Sequence, residues 1–178
     1  MADTQRKLAD LQTLFADNTT KQISPHDQRD ALVTTLGAYG SIHCNDGSAS
    51  QSVATATKVV VNQFTANGAA SGVTPDHAND KLTVGIAGDY FVSCVMSFAS
   101  NGSDDTFEAR ILKGGAEVNG LSGKVEHALA ADENQVVITG ILDDLAANDI
   151  ITVQIEHDDG GTVTFDVKQA NLCMKLWG

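Results

Sequence analysis

The chain of 178 residues is 42% hydrophobic, which supplies one good core and hardly two, so a single main domain with an appendage is expected. Its 23 Asp and Glu against 11 Lys and Arg give a formal charge of -12, which repels a phosphate backbone and excludes nucleic acid as a partner. No run approaches the roughly 18 consecutive apolar residues of a membrane span, and the polar start MADTQRKLAD lacks a signal-like apolar core; membrane insertion is not expected, and synthesis in a cytoplasm is.

The first elements read as helices. Over residues 4–16, Leu8, Leu11, Leu14 and Phe15 recur at three- and four-residue steps, with Asp3 or Thr4 placed to cap the start. After the polar break Asn18-Thr19-Thr20, Ser24 is a good N-cap, Pro25 takes the first helical position and Asp27 faces the positive end of the helix dipole. The second helix runs to about Leu36, burying Ala31, Leu32, Val33 and Leu36, and Gly37 ends it. Helices of about a dozen residues are marginal alone in water, so this segment needs a partner. The expected partner is another molecule, with Leu8, Leu11, Leu14, Phe15, Ile23, Leu32, Val33 and Leu36 as attachment residues. The alternative is that the two helices close the open end of the chain's own β-domain.

Residues 40–52, GSIHCNDGSASQS, are small and polar with little periodicity and read as a linker. The expected organisation is therefore a helical attachment segment over residues 1–39, a linker over 40–52 and a β-domain over 53–178.

Beyond the linker the period changes to two. In YFVSCVMSFA, Tyr90, Val92, Cys94, Met96 and Phe98 point one way, while Phe91, Ser93, Val95 and Ser97 point the other. Similar runs are Phe107, Ala109 and Ile111; Val136, Ile138 and Leu142; Ile151, Val153 and Ile155; Val163, Phe165 and Val167; and Leu172, Met174 and Leu176. Turn signals separate them at Gly88-Asp89, Asn101-Gly102, Gly114-Gly115, Asn148-Asp149 and Gly160-Gly161. Short strands with turns at this spacing predict a mainly β chain folded as an antiparallel sandwich or jelly roll, preceded by two short α-helices.

The chemistry-bearing residues form no catalytic pattern. The chain has no GxSxG, GxxxxGK[ST], HExxH or paired CxxC motif, so neither catalytic residues nor a cofactor is expected. His43, Cys44 and Asp46 stand close together in sequence, but adjacent residues of an extended segment point apart, and an ordinary polar linker is expected there rather than a metal site. The pairs Asp104-Asp105, Asp143-Asp144 and Asp158-Asp159 fall at turns and read as solvated hairpin tips before calcium ligands. His26, His77, His127 and His157 have no partner pattern and are expected at the surface or at strand edges. Cys44, Cys94 and Cys173 cannot all pair within one chain and read as reduced packing residues.

The stretch from about residue 59 to the end resembles the jelly-roll superfamily of tumour necrosis factor and complement-type globular heads, in its bacteriophage form. The resemblance lies in Leu82-Thr-Val-Gly-Ile-Ala-Gly-Asp-Tyr-Phe-Val-Ser, Ile111-Leu-Lys-Gly-Gly, Leu145-Ala-Ala-Asn-Asp-Ile-Ile-Thr-Val and Asn171-Leu-Cys-Met-Lys-Leu-Trp-Gly, taken in that order. One departure is Asn148-Asp149, where the superfamily usually has Gly-Asp. A second resemblance joins Leu14-Phe-Ala-Asp-Asn-Thr-Thr and Ile23-Ser-Pro-His-Asp-Gln-Arg-Asp to an N-terminal segment of phage virion proteins that precedes various heads. Together they imply a homotrimer at the virion surface, a head fibre or capsid decoration protein that docks on the phage capsid or another virion protein through its N-terminus. Trp177 is then core or trimer packing. A tail-fibre tip or adhesin gripping a host-surface glycan or protein is the runner-up, and a jelly-roll hydrolase or isomerase the third reading.

Overall fold

The computed structural model describes residues 37–45, 50–158 and 160–177; the two expected helices lie outside the described residues. The described chain is a two-sheet β-sandwich. Its strands are β1 (Tyr39–Cys44), β2 (Ser50–Ala54), β3 (Val59–Val60), β4 (Ala66–Asn67), β5 (Val73–Asp76), β6 (Lys81–Val84), β7 (Gly88–Ser100), β8 (Asp105–Lys113), β9 (Ala116–His127), β10 (Glu133–Leu145), β11 (Ile150–His157) and β12 (Thr162–Leu176), with one 3-10 turn at His77–Asn79.

The first sheet runs β10-β7-β12-β1-β4, with β2 also on β12; the second runs β5-β6-β11-β8-β9, with β3 also on β11. Neighbours pair antiparallel throughout, in jelly-roll order. Alternation decides which side chains meet between the sheets. Tyr90, Val92, Cys94, Met96 and Phe98 of β7 face Phe107, Ala109 and Ile111 of β8 and Ile151, Val153 and Ile155 of β11, all at 1% exposure or less. At the β8–β9 hairpin, Gly114 and Gly115 both take positive φ, 58° and 84°, the left-handed pair that a two-residue turn needs. The β9 and β10 edges approach closely at Gly140, where a Cβ would come within 2.3 Å of Leu121 Cδ2.

The period-two runs ending in Val167 and beginning at Leu172 belong to one 15-residue strand, β12. A register shift between Val167 and Gln169 inserts Lys168 as a bulge, so inward positions pass from Val163, Phe165 and Val167 to Ala170, Leu172 and Met174. That change of parity makes one strand look like two.

Four expectations are corrected. The linker over residues 40–52 is strand at both ends: β1 lies between β12 and β4, and residues 50–52 belong to β2. Among the described residues of that stretch only Ile42 and Cys44 enter the hydrophobic core, too few apolar residues for a visible period, and its hold on the sheet is a backbone ladder that any side chain permits. Gly88-Asp89 begins β7 instead of forming a turn. His127 lies on the edge strand β9, but it and His157 are buried to 0% and 1% exposure rather than at the surface, and Asp105 is buried to 3% where a solvated tip was expected. The two imidazoles end their strands packed on Phe98 and Phe107, a placement that parity alone does not reveal.

Candidate functional site

The outward faces of the two sheets differ in charge. On the second sheet, Arg110 of β8 binds Glu108 at 2.8 Å, pairs with Glu156 of β11 and lies 3.7 Å from Glu117 of β9. Lys124 adds a 3.1 Å contact to Glu108, and Lys58 pairs with Glu117. Glu108 and Glu156 stand directly opposite each other in the strand register, so the Arg110 guanidinium between them offsets a like-charge repulsion. The carboxylates in turn hold the Arg110 guanidinium above its ordinary pKa against the effect of burial.

The first sheet presents the opposite character. Its register lines up Ile141, Phe91, Lys175 and Tyr39 across β10, β7, β12 and β1. The next rows are Thr139, Ser93, Cys173 and Ser41, then Val137, Val95, Asn171 and His43. Lys175 is the one formally charged side chain in these three rows, on a chain of net charge -12. Phe91, Val137 and Trp177 are 38%, 52% and 68% exposed, and the Phe91 and Trp177 rings stand 6.4 Å apart. Burial pushes the Cys173 thiol up, with a backbone hydrogen bond at Ser93 acting the other way, so it stays a neutral thiol on this face.

Two shallow depressions mark the face. One of about 390 Å³ is lined by Tyr39, Ala69, Phe91, Met174 and Lys175 and is mostly apolar. The other, of about 370 Å³, is lined by His43, Asn45, Ser97, Gln135, Gln169 and Asn171 and offers carboxamides and an imidazole without a formal charge. A face of this kind lacks the charged side chains that keep a sheet surface in water, and contains the aromatic residues and hydrogen-bonding amides common where proteins meet.

The expected attachment residues Leu8, Leu11, Leu14, Phe15, Ile23, Leu32, Val33 and Leu36 lie outside the described residues. His43 and Cys44 are adjacent on β1 and project to opposite sides, Cys44 into the core at 1% exposure. Among the described residues no group of three or more His, Cys, Asp or Glu is placed to hold a metal ion. Trp177 is exposed at the end of β12 rather than in the core. Tyr39, Val137 and Ile141 belong to one face without any local sequence pattern that joins them. The available signal was the lack of charge over residues 90–103, 135–142 and 169–174, three stretches that the topology brings side by side.

No protein-family model matches the chain, and no curated protein sequence matches it. Among solved structures, the Eiger TNF of S. frugiperda aligns with a TM-score of 0.54 at 12% identity, covering 80% of this chain and 94% of that one. The globular domain of the zebrafish complement 1qA protein aligns with a TM-score of 0.53 at 13% identity, covering 80% of this chain and 98% of its own. Such low identity makes the likeness one of fold: the described chain shares the jelly-roll fold of these two structures.

Proposed function

We propose that the chain is a non-enzymatic structural protein of a phage virion, a homotrimeric head fibre or capsid decoration protein. Its jelly roll packs copy against copy through the three rows of the first sheet's outer face in which Lys175 is the one formal charge, and its N-terminal segment docks on the capsid. The observation that carries the assembly is the contrast between the two outward faces. The second sheet is covered by the paired charges around Arg110, whereas the first shows Phe91, Val137, Ile141 and Tyr39 with Lys175 alone among them. Burying the second face would require desolvating a whole ion network, while the first can be buried at little electrostatic cost. The virion assignment rests on the resemblance of residues 14–20 and 23–30 to phage attachment segments and on the need of short helices for a partner.

Sedimentation equilibrium of the full chain tests the assembly: a mass three times that of the 18.6 kDa chain is expected, and a monomer at micromolar concentration rejects it. Binding of the purified protein to capsids stripped of it tests the docking. Saturable binding that is lost on deletion of residues 1–36 supports it, and binding retained by the deletion overturns it. Adsorption of the isolated head to host cells, with none to capsids, selects the receptor-binding alternative.

A further inference from the structure

The core of the sandwich contains imidazoles that its packing does not require. His127 is the last residue of β9, fully buried, and neither ring nitrogen has a hydrogen-bond partner. Its ring lies between Phe98 of β7, at 4.9 Å between centroids, and Phe107 of β8, at 5.1 Å. His157, the last residue of β11, stands on the far side of Phe107 at 5.8 Å. Its Nε2–H donates to the Val53 carbonyl at 3.0 Å, and its Nδ1 is buried without a hydrogen-bond partner. An apolar ring at residue 127 would fill the same space between Phe98 and Phe107 and leave no polar atom unsatisfied.

The groups that face His127 decide what a proton would do there. From β8, Asp105 is its direct cross-strand neighbour; from the connection between β9 and β10, Asp132 contributes negative charge; from β11 comes His157, beyond Phe107. β7 presents the ring of Phe98, which packs in turn on Phe165 of β12. Burial outweighs the two carboxylates and holds the His127 imidazole below its ordinary value, so the closed sandwich keeps it neutral.

His127 and Asp105 form the last pair of the β8–β9 ladder. The chain that follows is tied back through Ala131, whose N–H donates to the Ser100 carbonyl at 2.6 Å, and Leu129 within it is 63% exposed. We propose that His127 is a proton-operated latch: neutral, it closes this end of the sandwich, and protonated, it releases the β7–β8 turn and the β9–β10 connection. Release brings the imidazolium and the Asp105 carboxylate into water, where both are solvated and can pair.

The opened form binds a proton with the ordinary histidine value of about 6.5, and the closed form binds it only at lower pH. Below about pH 6.5 the opening equilibrium therefore rises up to about tenfold per pH unit, until the closed form also protonates. Amide hydrogen exchange of the full chain, corrected for intrinsic rates, reads this between about pH 7.5 and pH 5.5. Protection over residues 101–105 and 127–132 falls with acid in the native protein, while β6 and the middle of β11 hold. In His127→Phe the acid-induced loss disappears. An equal loss in that variant, or a loss spread evenly over both sheets, overturns the latch. NMR titration of the native His127 ring provides a test that needs no variant: a midpoint below the ordinary value supports the latch, and one at or above it refutes it.

Discussion

Gln63 closes a gap in the first sheet by hydrogen bonding to Val167. Its Oε1 accepts from the Val167 N–H at 2.8 Å, and its Nε2 donates to the Phe165 carbonyl at 3.2 Å. The clamp falls where β2 has ended its pairing with β12 at Asp166 and β1 has not yet begun at Ala170, just before the Lys168 bulge. Gln63 is 4% exposed, so water does not replace it readily. Gln63→Leu keeps most of the volume and strands a donor and an acceptor, which is expected to cost about 1–3 kcal/mol. Thermal unfolding should show a Tm lower by about 2–4 °C for each kcal/mol lost.

Tyr90 and Cys94 give the sandwich an alkaline limit. The Tyr90 hydroxyl donates to the Ile86 carbonyl at 2.7 Å, and burial pushes its phenol from 10.0 up to about 12. Burial, with Cys173 nearby, pushes the Cys94 thiol from 9.0 up to about 12. Both groups keep in the folded state a proton that the unfolded chain gives up. The stability they contribute is complete below the unfolded values and is lost as pH rises through the folded ones. Urea midpoints should fall from about pH 9 upward, first through the thiol and then through the phenol. Cys94→Ala is expected to remove the earlier part of that fall and Tyr90→Phe the later part. At neutral pH Tyr90→Phe should cost about 1 kcal/mol, because the Ile86 carbonyl loses its donor.

The sandwich was legible in the sequence because alternation survives wherever a strand has one face on the core. The inward sets of β7, β8 and β11 can be read directly from Tyr90 to Phe98, Phe107 to Ile111 and Ile151 to Ile155. It became illegible in three physical situations. β1 is held by its backbone partners on both edges and needs little hydrophobicity of its own. β12 changes parity at Lys168. His127 and Asp105 are polar residues whose burial depends on where strand ends fall in three dimensions. The candidate face was half legible: Phe91, Ser93 and Val95 read as one outward side of a strand, but their alignment with Val137, Asn171 and His43 is a property of register, which no local pattern encodes.

Arg110 should behave as the keystone of the second sheet's outer face. Its side chain is 17% exposed, and those of Glu108 and Glu156 are 14% and 19% exposed. Arg110→Met leaves these facing carboxylates without the cation between them, and the expected loss is roughly 2–3 kcal/mol, below the 3–5 kcal/mol of a fully buried broken pair because solvent screens this one. Raising the salt concentration should recover part of the loss, as should adding Glu156→Gln to the variant. Denaturant titration of the single and double variants at two ionic strengths reads both effects. An Arg110→Met protein as stable as the native one would show that the network is electrostatically neutral to folding.

The uncharged face and the N-terminal segment can be separated by where the chain is cut and where charge is added. Phe91→Glu with Val137→Glu places two carboxylates on the proposed contact and should raise the dissociation constant of the assembly by at least about a hundredfold, since unpaired like charges in an interface cost several kcal/mol. Both side chains point away from the core, so the melting of the monomeric fold should change little. Truncation must respect β1. Ala38 is fully buried and its carbonyl accepts the Leu176 N–H at 2.7 Å, while Tyr39 begins the ladder with β12. Removing residues 1–36 should leave the head folded and associated, whereas removing residues 1–44 strips a strand from between β12 and β4 and should give an aggregating or unfolded product. Circular dichroism and sedimentation of the two truncations distinguish an appended segment from a built-in strand. A folded, soluble protein lacking residues 1–44 would show that β1 is dispensable to the first sheet.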